Sequence, residues 1–183
     1  MKIIKIFCLL LLTSCNGQVK KDMAAEKSVD GTPEEMWNSF VKAHPEHSDS
    51  EMPKSWYFGA NKREADQMGK LVVIGKKTTA SDIYHGYEEM DAELPKVGLM
   101  DIVTDFEGNA LAIIQLRKVD TIPVKNITKE YAQKDMGTEV DALKAWKKYY
   151  MEEVFPESII DTRIKITENT LVVCEWFEVI WPK

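Results

Sequence analysis

The chain has 183 residues, 44% of them hydrophobic and 30% charged, and its 24 Lys and Arg against 30 Asp and Glu leave a formal net charge of −6. An acidic surface of this kind does not attract long nucleic acid in general, so any polyanion-binding face must be a local patch. The three cysteines, Cys8, Cys15 and Cys174, are too few and too scattered for a disulfide scaffold or a structural zinc site.

The N-terminus reads Met1-Lys2-Ile3-Ile4-Lys5, then an apolar run from Ile6 to Leu12, then Thr13-Ser14-Cys15. A charged stretch, a short apolar stretch and small residues before a cysteine are the layout of an export signal. The apolar run is well short of the roughly 20 residues that a membrane-spanning helix needs. Leu12-Thr13-Ser14-Cys15 resembles the lipobox of bacterial lipoproteins. The resemblance implies removal of residues 1–14, acylation of Cys15, and a cell-envelope location outside the cytoplasm with the membrane as partner. More than one acyl chain, at about 0.8 kcal/mol per buried methylene, makes such an anchor stable. Loss of Lys2 and Lys5 with no acid would deepen the balance from −6 to −8. Residues 15–32, with Lys20, Lys21, Asp22, Glu26 and Lys27, read as a flexible tether, and residues 33–183 as one domain.

Thr32-Pro33-Glu34-Glu35 combines an N-cap residue, proline at the first helical position and acids in the first turn, which predicts a helix from about Pro33 to Ala43. A second helix starts near Asn61, presents Ala65, Met68 and Val72 on one side, and ends before Gly75. Beyond it come short strands. Leu99 to Thr104 and Ala110 to Leu116 flank Asp105-Phe106-Glu107-Gly108-Asn109, a hairpin signal. Thr128 caps a short helix through Lys134, and Leu143, Trp146, Tyr150 and Val154 form a stripe on a helix from about Val140 to Phe155. Leu171 to Trp181, rich in β-branched and aromatic residues, reads as a central strand, with Cys174 as a buried thiol. The fold class is α+β, with a small barrel as one option for the strands.

Three segments in order carry a more specific signal. They are Ser55-Trp56-Tyr57-Phe58-Gly59 with Gly75-Lys76-Lys77-Thr78-Thr79-Ala80-Ser81, then Tyr87-Glu88 with Leu94-Pro95-Lys96-Val97-Gly98, then Val172-Val173-Cys174-Glu175. Together they resemble the ASCH (activating-signal-cointegrator homology) family, a branch of the PUA-like superfamily, from about Trp37 to Pro182. The resemblance implies a small, mostly antiparallel β-barrel with flanking helices, and a cleft for RNA or nucleoside-like ligands. Some relatives are similar to amidohydrolases of acylated cytidine or to ribonucleases, with no cofactor. In the amidohydrolase-like members a lysine, a threonine three positions on and a carboxylate from a short helix form the site. Lys77 matches the lysine and Asp135 the carboxylate. The threonine position holds Ala80, so either Thr79 or Ser81 must supply the hydroxyl.

On its own physics, Lys77 lies two residues after Gly75 and adjoins Lys76, an arrangement that disfavours an ammonium and suits a base, whereas the bland alternative makes both lysines solvated charges at a helix C-terminus. Trp56 and Phe58 offer a face for a stacked base or else plug one end of the core. Lys96 either meets a phosphate or ends a turn, and Glu88 and Glu175 either accept hydrogen bonds in a pocket or are solvated. His44, His47 and His85 lack a third ligand at recognisable spacing, so no metal is expected. The functional expectation is a ligand-binding domain, with hydrolysis of a nucleoside-like or other small amide or ester through Lys77 and Asp135 as its candidate reaction. The alternative is a non-catalytic envelope lipoprotein that binds a small ligand, RNA or a protein through the same cleft.

Overall fold

A computed structural model describes residues 31–161 and 163–182; the segment expected to be an export signal, Cys15 and nearly all of the expected tether lie outside the described residues. Helix α1 (Pro33–Ala43) opens on a reciprocal capping box: Thr32 Oγ1 accepts the Glu35 N–H at 3.2 Å while the Glu35 carboxylate accepts the Thr32 N–H at 2.9 Å. Its apolar face buries Met36, Trp37 and Phe40 against Ile102, Ala110 and Ile113. Thr32→Ala is expected to cost about 1 kcal/mol in urea denaturation, and an unchanged midpoint would show that the cap contributes nothing.

Strand β1 (Ser55–Trp56) leads to α2 (Lys62–Val73), capped by the Asn61 side chain and burying Ala65, Gly69 and Val72. The chain then turns into β2 (Thr79–Ile83) and the short α3 (Tyr84–Glu89). Strands β3 (Met100–Thr104) and β4 (Ala110–Pro123) pair antiparallel around the expected hairpin. There the Asp105 carboxylate accepts from the Asn109 backbone and side chain, both at 2.8 Å, and Gly108 takes φ +87°.

Strand β4 runs past the expected end at Leu116 because β5 (Leu171–Trp181) pairs with it as far as Pro123↔Leu171. Helix α4 (Lys129–Met136), capped by Thr128, stops at Gly137 in the left-handed conformation. The stripe expected on a single helix from Val140 begins as α5 (Ala142–Lys148), passes through a π-helical stretch, Tyr149–Val154, and ends in one turn, Phe155–Glu157.

The α+β class holds, but the barrel is corrected. Among the described residues the strands form one sheet in the order β1-β3-β4-β5-β2, with β1 and β2 at its two edges. Closure would require those two edges to hydrogen-bond, and β1 is only two residues long and pairs with β3 alone. Strand β5 is interior, held by β4 on one side and β2 on the other. Ile83, Val172 and Cys174 pack with α4 and α5, while Phe58, Val72, Leu116 and Phe177 form a second cluster with α2. Cys174 sits in the first cluster, its thiol pushed up to about 12 by desolvation, which suits a core residue and not a nucleophile. Among the described residues, no helix is long and apolar enough to cross a membrane.

Candidate functional site

Lys77 lies between the end of α2 and the start of β2, its N–H tied to the Leu71 carbonyl at 3.0 Å. That anchor sends its side chain inward, where it is 1% exposed. Nζ donates to the backbone carbonyl of Asp135 at 2.8 Å and forms an ion pair with Asp135 Oδ1. Residues far apart in sequence thus meet, and the group against Lys77 is a carboxylate and not its neighbour Lys76, which is exposed.

Asp135, near the C-terminal end of α4, is also 1% exposed and has every lone pair engaged. Besides Lys77, Oδ1 accepts Tyr150 Oη at 3.1 Å, and Oδ2 accepts Ser81 Oγ at 2.5 Å and Trp146 Nε1 at 2.8 Å. Buried charge is tolerable only under such satisfaction, and no buried polar side-chain atom among the described residues lacks a partner. Of the two hydroxyls beside Ala80, Ser81 reaches Asp135, while Thr79 is fully buried and donates to the Tyr131 carbonyl at 3.4 Å. Tyr131 Oη lies 2.9 Å from Ser81 Oγ and donates to the Ala80 carbonyl. Desolvation, reinforced by the Asp135 charge, pushes the Tyr131 and Tyr150 phenols well above their ordinary range, so both remain hydrogen-bond donors.

Sequence reasoning missed Tyr131, Trp146 and Tyr150 as part of this cluster. The last two belong to the Leu143–Val154 stripe that reads as core, and the available signal was that Trp and Tyr carry polar tips which need partners when buried.

In front of the cluster opens a cleft of about 990 Å³. Ser81, Phe58, Tyr150, Trp56, Tyr87 and Glu175 help to wall it, whereas Lys77 and Asp135 lie behind that wall. Phe58 is buried and covers Lys77, with Nζ 4.6 Å from its ring centroid, and Trp56 meets Phe58 edge-on at 4.6 Å. Lys76 is exposed outside the cleft, as are Glu88, paired with His85 at 3.1 Å, and Lys96, paired with Glu93 at 2.5 Å. His44 and His47 flank the Phe40 ring.

The cleft lining holds eight carboxylate side chains against one lysine, Lys54. Burial pushes Asp101 up to about 6, and burial with the nearby Asp101 and Asp82 charges pushes Glu175 up to about 7. Asp82 is raised by burial as well. A carboxyl that keeps its proton in the folded state but loses it near pH 4.5 when unfolded makes stability fall as pH rises from about 4.5 to about 7. Glu175→Gln is expected to flatten that part of the stability–pH curve, measured by urea midpoints across this range; an unaltered slope would mean that Glu175 is solvated.

A family model described as ASCH domain matches residues 54–181. Protein EF3133 from Enterococcus faecalis V583 is similar at 30% identity and TM-score 0.68, over 80% of this chain and 86% of that one. An ASCH domain from Lactobacillus crispatus JV V101 shares the fold at 21% identity and TM-score 0.70, over 80% of this chain and 92% of that one. No curated protein matches the chain.

Proposed function

The chain belongs to the ASCH domain family, and from that premise we propose that its cleft binds a small nucleoside-like or other amide- or ester-bearing ligand and hydrolyses it at Ser81. The observation that carries this reading is the Ser81 hydroxyl, which stands on the cleft wall and donates to a carboxylate that Lys77 holds from behind. A hydroxyl becomes a usable nucleophile when an oriented base accepts its proton. Ser81 Oγ would bond to the acyl carbon as its proton passes to Asp135. The C–N or C–O bond then breaks, with that proton going to the leaving amine or alcohol, and water releases the acid from Ser81. Ala80 departs from the family pattern, and Ser81 stands in for the missing hydroxyl.

The acidic lining repels phosphate and so speaks against RNA as the ligand. The test is release of acid from acylated cytidines and short acyl amides and esters by purified domain. No product from any of them, together with measurable binding, would replace this reading with a second one, a non-catalytic binding module. That second reading has its own support in the closure of Phe58 over Lys77.

We also propose that the domain is tethered outside the cytoplasm through a lipid on Cys15, which rests on the Leu12-Thr13-Ser14-Cys15 tetrad. A fatty-acid label on the wild-type chain is expected to disappear in Cys15→Ser; a label that persists would overturn the anchor.

A further inference from the structure

Elsewhere on the surface, carboxylates are met by cations: Asp66 by Lys62 at 2.9 Å, Glu178 by Arg117 at 3.0 Å and Asp161 by Arg163 at 2.7 Å. Asp82, Asp101 and Glu175 form no ion pair among the described residues, although all three lie together on the cleft lining and are largely removed from water. The cost of packing like charges into a low-dielectric recess is relieved by protonation at low pH and, above it, by a positive charge that arrives there. Aromatic rings of Trp56, Tyr87 and Tyr149 border the same space, and an ammonium or guanidinium gains from ring faces as well as from carboxylates. Strand β2 places Asp82 directly after Ser81, and Glu175 lies opposite Ala80 across the β2–β5 pairing. Successive side chains of β2 point to opposite faces, yet Ser81 lines the same cleft as the acids, so a cation held by them shares that space with the hydroxyl assigned to the acyl group.

We infer that the ligand of this cleft is a small cation: an acylated compound that keeps a free ammonium or guanidinium, with its charge seated on Asp82, Asp101 and Glu175 and its acyl carbonyl at Ser81. The inference rests on the cleft being the ligand site and defines the ligand's charge, which the hydrolase reading leaves open. It also makes a neutral acylated nucleoside a poorer ligand than a charged acyl amide of similar size.

Two probes of one skeleton isolate the charge: N-acetylputrescine, which keeps an ammonium, and N,N′-diacetylputrescine, which does not. Calorimetric titration of the intact domain at pH 8 is expected to give binding of the first at least about tenfold tighter than the second. In Asp101→Asn/Glu175→Gln that preference should shrink to about threefold or less, with far-ultraviolet circular dichroism unchanged. Equal binding of the two probes, failure of the monoacetyl compound to bind, or tighter binding of neutral acetylated cytidine would each overturn the inference. Because binding is read without turnover, the two proposals fail separately. Charge-selective binding with no product sinks only the hydrolase, and hydrolysis without charge preference sinks only the cation.

Discussion

Ser81→Ala is expected to lower kcat on any hydrolysed substrate by at least about 10³-fold while leaving binding within about threefold, because it removes the nucleophile and little of the binding surface. The fold should survive. Asp135 Oδ2 keeps Trp146 Nε1 at 2.8 Å, so the loss is limited to one hydrogen bond to a charged group, about 2 kcal/mol. This combination distinguishes a catalytic hydroxyl from a structural one, since a structural role would move the denaturation midpoint more than the rate. Steady-state kinetics set beside urea denaturation of the same preparation reads both. A kcat within a few-fold of wild type would remove Ser81 from the chemistry and favour the binding module.

Lys77→Ala is expected to destabilise the domain by about 3–5 kcal/mol, because it strands the Asp135 carboxylate in the interior without its counter-charge. Both side chains are 1% exposed, so water cannot replace the lost partner. Phe58 loses the cation beneath its ring in the same change. Neutralising the acid as well, in Lys77→Met with Asp135→Asn, should recover a substantial part of the loss, since an amide is far cheaper to bury than a charge. The urea midpoint at unchanged slope is the measurement. A cost below about 1 kcal/mol would show that the pair is open to solvent. The size of the effect also governs how activity data are read: inactivity of Lys77→Ala alone cannot assign Lys77 to the chemistry, whereas inactivity of a well-folded Ser81→Ala can.

Much of the fold was legible along the chain because its signals are local. Thr32 with Glu35 announced α1, Asn61 announced α2, and the Asp105–Asn109 segment announced the β3–β4 hairpin, each through hydrogen bonds made within a few residues. Asp135 was named through the resemblance and Lys77 by its own position as well, and their meeting required the packing of α4 beside β2. The open sheet, the extension of β4 to Pro123 and the π-helical stretch after α5 depend on which strand or helix lies alongside, and no short window of sequence contains that partner.

The two hydroxyls flanking Ala80 mark the boundary between the two kinds of information. Composition, capping residues and hydrophobic period determined an acidic α+β domain, and the family resemblance narrowed the vacant role to Thr79 or Ser81. Tertiary packing decided that Ser81 meets Asp135 and that Thr79 is sealed against the Tyr131 carbonyl. The same packing collected Asp82, Asp101 and Glu175 from three strands into one cleft. The reason is physical: helix caps and turns are settled by neighbours a few bonds away, whereas burial and mutual repulsion of charges depend on distances in space that only the assembled sheet creates.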